Sequence, residues 1–196
     1  MNNLLQVKNL NIVFRSAHGE HRAVRDVSFH VGREKKVAIV GESGSGKSQT
    51  CRALLQLTPK IGRVTADQMH FGDIDLLNSS ETDRQIRGNR ISMILQDPRF
   101  SCNPLMRIGD QVAEAFRLHR RVSKSGSQSR ANDAGIGAYS RRGESGTPLS
   151  PRISGGMGQR VMIAMMLIPE PDLIIADEPT SRSGRDGAPA GAEHPE

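Results

Sequence analysis

Two stretches near the start of the chain alternate apolar with polar residues. Leu10, Ile12 and Phe14 alternate within Leu4 to Phe14, and Val27, Phe29 and Val31 alternate with Ser28 and His30 up to Gly32. A period of two turns one side of a strand to the core and the other to water. The pattern therefore predicts antiparallel strands, with a hairpin connection at Ser16 to Glu20 around Gly19. Short unbroken apolar runs follow at Val37-Ala38-Ile39-Val40, Ile91 to Leu95 and Leu173-Ile174-Ile175-Ala176. Runs of that length without alternation predict strands covered on both faces. Val64 to Phe71, closed by Gly72, reads as one more strand and a turn.

Helical spacing appears in Gln49 to Leu55 through Cys51, Leu54 and Leu55, with Thr58-Pro59 closing the element. It returns in Arg107 to Leu118 through Ile108, Val112, Ala115 and Phe116, and as a strongly apolar run from Val161 to Leu167. Ser79-Ser80-Glu81-Thr82 opens a short helical stretch that runs through Arg87 and ends at Gly88. The fold class is α/β, with an antiparallel part at the N-terminus. Two segments carry neither period. Val122 to Pro151 holds seven serines and five glycines with Tyr139 as its single aromatic, and the residues beyond Thr180 have the composition of a tail.

Composition changes this picture in three respects. The aromatic residues are only Phe14, Phe29, Phe71, Phe100, Phe116 and Tyr139, so the core of this 196-residue chain is expected to be aliphatic and methionine-rich. Cys51 and Cys102 lack metal-ligand spacing and fit a reducing compartment better than a disulfide framework. The net charge of +6 is local: between Arg117 and Arg152 eight Lys or Arg face only Asp133 and Glu144. A generally basic surface for nucleic acid is thus the weaker reading. No apolar run is long enough to cross a bilayer, so any membrane role is expected to be peripheral.

The chemistry centres on Gly41-Glu42-Ser43-Gly44-Ser45-Gly46-Lys47-Ser48, which fits G-x-x-x-x-G-K-[ST] without a mismatch. Three glycines let the backbone curl until its N–H groups point inward at phosphate oxygens, while the helix that follows presents its positive end to the same anion. Lys47 is the expected partner of the β- and γ-phosphates and Ser48 of a magnesium ion, with Gln49 just beyond them. A glycine-rich turn that meets the pattern by chance is the plain alternative, and the strand and helix expected on either side argue against it.

Other polar groups cluster at strand ends, where open α/β sheets place ligand contacts. Gln96 follows the Ile91 run and is placed to hold magnesium or orient a water; on its own, Gln96-Asp97-Pro98 is no more than a strand stop. Asp177-Glu178 ends the Leu173 run. Adjacent carboxylates there are costly unless a cation faces them, which suggests Asp177 for magnesium through water and Glu178 as the general base. Ser154-Gly155-Gly156 opens another helix that is able to receive phosphate. Phe14 has two readings of equal standing: a ring stacked on adenine, or a strand residue facing the core.

Taken in order, GESGSGKS, Gln96-Asp97-Pro98, ISGGMGQR and LIIADEP resemble the ATP-binding subunits of ABC transporters. Leu95-Gln96-Asp97-Pro98 with Asn103-Pro104, and Gly155-Gly156-Met157 followed by Gln159 to Met165, look like the oligopeptide, dipeptide and nickel importer branch. The resemblance covers Leu5 to Arg121 and Ile153 to Thr180. It implies a RecA-like P-loop core with an N-terminal antiparallel β subdomain and an incomplete α-helical subdomain. Residues 1–180 would form the ATP-binding domain, with the core in 1–96 and 160–180, the helical subdomain in 97–159, an insert at about 122–151 and a tail over 181–196. It further implies ATP and Mg2+ as cofactors, and a second ATP-binding subunit whose γ-phosphate meets Ser154, Gly155 and Gly156. Two membrane permeases and, indirectly, a solute-binding protein would complete the assembly, at the cytoplasmic face of a bacterial inner membrane.

The chain departs from the family at Lys124 to Pro151, where an amphipathic helix should continue. It departs again at Ser181-Arg182-Ser183-Gly184, where a dimer-contact loop, a further strand and a switch histidine should follow; His194 lies in polar surroundings instead. Both segments read like out-of-frame translation, and ATP turnover is expected to suffer. The competing readings are a soluble ABC-type ATPase acting on nucleic acid or ribosomes, and a non-functional fragment.

Overall fold

The structure is a computed structural model that describes residues 3–17, 19–78, 86–95, 102–119 and 155–178. These divide between two compact units, one within Met1–Ser92 with Pro171–Ile175 and the other within Met93–Glu170 with Ala176–Glu196. The expected helix from Ser79, Gln96, Ser154, the segment Val122 to Pro151 and everything beyond Glu178 lie outside the described residues.

The first unit is built on the alternating stretches. Strand β1 (Asn3–Ser16) and strand β2 (Gly19–Gly32) form a long antiparallel hairpin closed at Ser16 and Gly19, as the pattern predicts. β1 also pairs with β3 (Gly62–Thr65) and β4 (Gln68–Phe71), and β4 pairs with β5 (Ile74–Asp75). The strand expected over Val64 to Phe71 is therefore two strands. Asp67, between them, donates its N–H to the Lys8 carbonyl.

The buried side of β1 changes phase. Leu5 and Val7 lie in rows with Val31, Phe71, Phe29 and Met69, while farther along the buried residues are Leu10 and Ile12. The slip falls at Asn9, whose φ of 50° bulges the strand, and β2 slips at Asp26 with φ 47°. Side chains fix both bulges: Asn11 Nδ2 donates to Asp26 Oδ1 at 2.8 Å, and Ser28 Oγ accepts from the Asn9 N–H at 2.9 Å. Bulges of this kind bend a sheet and redirect its side chains. Here they keep Leu4, Leu5, Val7, Leu10 and Ile12 of a 14-residue strand buried on both sides of the slip, with Val13 and Phe14 half-buried beyond.

Helix α1 (Lys47–Leu54) packs Thr50, Ala53 and Leu54 inward. It ends earlier than the Thr58-Pro59 boundary, because Gln56 turns left-handed at φ 53° and its N–H and that of Leu57 bond back to Ala53 and Arg52. Strand β6 (Ile91–Ile94) is buried throughout, as expected. Just before it, Arg90 lies over the Phe71 ring at 4.8 Å and its Nε meets Asp172 Oδ2 at 2.7 Å.

Two expected buried strands are corrected. Val37-Ala38-Ile39-Val40 forms no strand, and Val37, Ile39 and Val40 are 51%, 41% and 90% exposed. An apolar run becomes a strand only where its peptide groups find a neighbour. The sheets formed by the described residues are the one around β1 and the β6–β7 pair, and neither includes this run. Strand β7 (Leu173–Ala176) forms where expected, but Ile174 and Ala176 are exposed, since a two-stranded sheet covers little. The Leu173 N–H bonds to Arg90 and the Asp177 N–H to Ile94; the partners advance together along both strands, so the pairing is parallel.

In the second unit, helix α2 (Ile108–His119) packs on helix α3 (Gly155–Leu167). Ile108, Val112 and Phe116 of the predicted face join Cys102, Ala113, Val161, Met165 and Ile168 in one core. That core is largely aliphatic, with Phe116 as its one aromatic residue and Met165 as its one buried methionine. Gln111 fixes the entry to α2: its Oε1 accepts from the Asn103 N–H at 2.8 Å, and its Nε2 donates to the Asn103 and Met106 carbonyls.

Candidate phosphate-binding site

The phosphate loop is positioned from its helical end. Gly46 stands at the N-cap of α1 with φ 92° and ψ 4°, a conformation that favours glycine. A Cβ there would run into the Ala23 carbonyl oxygen and come within 2.9 Å of Val24 Cγ2. The loop thus rests directly on the backbone of β2. Gly44 is also left-handed at φ 80°, and a Cβ on Gly41 would lie 2.7 Å from Ser45 Oγ, so the turn is tightly wound. Ala23 and Val24, the floor of this turn, carry no signal in sequence; only the strand register places them.

No side chain caps the start of α1 and no acidic residue lies in its first turn. That leaves the positive end of the helix to an anion. Lys47 folds its ammonium back over the loop, with Nζ donating to the Gly41 carbonyl at 2.8 Å and the Glu42 carbonyl at 2.6 Å. The cation is therefore already over the turn, within reach of whatever the turn holds. Ser48 and Gln49 follow in the first turn of the same helix.

Register puts Phe14 on the same side of the sheet. Val24 faces Ile12 across the hairpin, and Phe14 is two positions along from Ile12, about 7 Å away on that face. Phe14 is half-buried, which fits both of its readings, a ring stacked on adenine and a strand residue facing the core.

The remaining predicted residues belong to the second unit. Asp177 follows β7 and is buried, 8% exposed; its N–H is held by the Ile94 carbonyl. Glu178 is exposed, and its left-handed φ of 49° turns the chain out of the strand direction. Gly155 and Gly156 open α3; Gly156 is exposed, with open space where a Cβ would be, and its carbonyl accepts from Arg160 Nε at 3.2 Å. Among the described residues nothing near Gly156 requires it to be glycine. Among the described residues no helix is long and apolar enough to cross a membrane, and no group of three or more His, Cys, Asp or Glu is arranged for a metal. Magnesium takes only one or two protein ligands beside phosphates and water, and the Ser48 hydroxyl and the Asp177 carboxylate are each, taken singly, of a kind it accepts.

A family model described as ABC transporter matches residues 24–181, most of the chain. The chain belongs to the ABC transporter family. The oligopeptide transport ATP-binding protein OppD of Bacillus subtilis (strain 168) is 42% identical over 184 residues, covering 91% of this chain and 51% of OppD. The dipeptide transport ATP-binding protein DppD of the same organism is 41% identical over 184 residues, covering 92% of this chain and 55% of DppD. The chain thus spans about half the length of the curated relatives it matches. Among solved structures, the dimeric ATP-binding cassette MJ0796 in a post-hydrolysis state with ADP and Pi superposes with a TM-score of 0.69 at 26% identity, over 90% of this chain and 75% of that one. The ABC cassette fold, an α/β fold with a RecA-like P-loop core, is the fold of this chain.

Proposed function

We propose that this ABC-family chain is the ATP-binding part of a peptide importer's cytoplasmic subunit, working against two membrane permeases and a second ATP-binding subunit. The observation that carries this reading is the wound loop Gly41–Ser48, laid on β2 with Lys47 folded over it and Phe14 on the same sheet face. Its relatives OppD and DppD are oligopeptide and dipeptide transport proteins by name.

In this reading the loop amides and Lys47 take the β- and γ-phosphates, and the Phe14 ring covers adenine. Ser48 and Asp177, with Gln96, would hold a magnesium ion, which would supply positive charge against the phosphates. Glu178 accepts the proton of the attacking water. Gly155 and Gly156, with Ser154, approach the γ-phosphate held by the other subunit; the open space at Gly156 leaves room for such an approach. The positions of the relatives as transport subunits give the nucleic-acid reading no support.

Titration of the purified chain with magnesium-ATP tests the proposal. Expected are binding, its loss in Lys47→Ala, and an ATP-dependent rise in mass to a dimer in Glu178→Gln. Turnover is expected to lie well below that of OppD, given the sequence after Thr180. Absence of ATP binding would refute the site, and turnover equal to OppD's would refute the impairment.

A further inference from the structure

We infer that Gly62 is a positioning residue for the Phe14 ring: its lack of a side chain sets where that ring stands beside the phosphate loop. This rests on the proposed reading of Phe14 as the residue that covers the base. Gly62 lies directly opposite Phe14 in the β1–β3 pairing. A Cβ built on it would lie 2.7 Å from Phe14 Cε1, 3.0 Å from Cδ1 and 2.6 Å from Thr58 Cγ2. The ring therefore leans across the Gly62 backbone, in space that any other residue would occupy.

The backbone itself does not call for glycine. Among the described residues the left-handed glycines are Gly19, Gly44, Gly46, Gly72 and Gly88, and Gly62 is not one of them. It also cannot retreat, because its N–H is held by the Pro59 carbonyl at 2.8 Å and the neighbouring Ile61 carbonyl accepts from the Arg15 N–H at 3.1 Å. The Thr58 methyl can turn away about its own χ1. The flat ring has no comparable escape and must swing off the strand.

The test compares two ligands, magnesium-ATP and magnesium tripolyphosphate; the second has the phosphates without a base. Phe14→Ala is expected to weaken ATP about tenfold, the order expected for loss of base stacking, and to leave tripolyphosphate unchanged. Gly62→Ala is expected to weaken ATP about fivefold, to leave tripolyphosphate unchanged, and to add nothing further in the Phe14→Ala background. Retained tripolyphosphate binding also reports an intact loop. The pair Thr58→Ser with Gly62→Ala removes the methyl clash and leaves the ring clash alone, so it should behave like Gly62→Ala while being easier to fold. Equal weakening of both ligands, no change in ATP, or additivity with Phe14→Ala would overturn the inference. Should Phe14→Ala itself leave the ATP-to-tripolyphosphate ratio unchanged, the stacking reading falls with it. A silent Gly62→Ala beside an effective Phe14→Ala removes the inference alone.

Discussion

The β1–β2 hairpin and the run Val37–Val40 are both apolar enough to predict strands, yet only the first is one. Leu10 and Ile12 are fully buried in a strand that bonds to β2, β3 and β4 along its length, whereas Val40, a residue of the same kind, is 90% exposed. Hydropathy states a demand for cover; partners decide whether it is met. In this chain the phosphate loop is held not from the apolar run that leads into it but from the far side, by α1 and the hairpin under Gly46.

The sharpest way to break this contrast is at its buried end. Leu10→Ala is expected to lower stability by about 3 kcal/mol through lost burial and an unfilled cavity, read as a fall in the urea midpoint. Next, Gly46→Ala forces a Cβ into the Ala23 carbonyl at a left-handed φ. It should lift the loop from its floor and weaken ATP by about thirtyfold, an effect of about 2 kcal/mol, measured by titration. Arg90→Met removes a cation from the Phe71 ring and an ion pair with Asp172, for about 1 kcal/mol in the same urea experiment. At the exposed end, Val40→Ser should change stability by less than about 0.5 kcal/mol. A loss as large as that of Leu10→Ala would show that the run is covered after all.

The smallest effect concerns pH. The Asn78 side chain and then the Leu77 N–H donate to Asp75, and these bonds hold its carboxyl below the ordinary range. A carboxyl that is more acidic folded than unfolded adds stability above its unfolded pKa and loses it as pH falls through the folded one. Asp75→Asn should accordingly flatten the acid side of the stability profile slightly, visible in thermal melts between pH 5 and pH 2, about the range in which such carboxyls titrate.

Much of the fold was legible because its signals are local. The period of two in β1 and β2, the helical faces of α1 and α2, and the glycine pattern before Lys47 each depend on neighbours a few residues away. What was not legible depends on pairing. The split of Val64–Phe71 into β3 and β4 follows from a turn at Asp67 bonded to Lys8, and the phase slips at Asn9 and Asp26 are held by residues from the opposite strand. For the site, the motif residues Gly41 to Ser48 were all marked in advance. Ala23, Val24 and Gly62 were not, since their part comes from lying beneath or opposite a residue distant in sequence.

Asp172 reaches back 82 positions to Arg90, and the segment Pro171–Ile175 belongs to the same compact unit as the N-terminal sheet. During synthesis at about 5–20 residues per second, that closing segment emerges roughly 4–16 s after Arg90. For those seconds the newborn sheet has its Phe71 cation without the aspartate, and the edge of β6 without β7. A stall in synthesis between the two points would prolong that incomplete state.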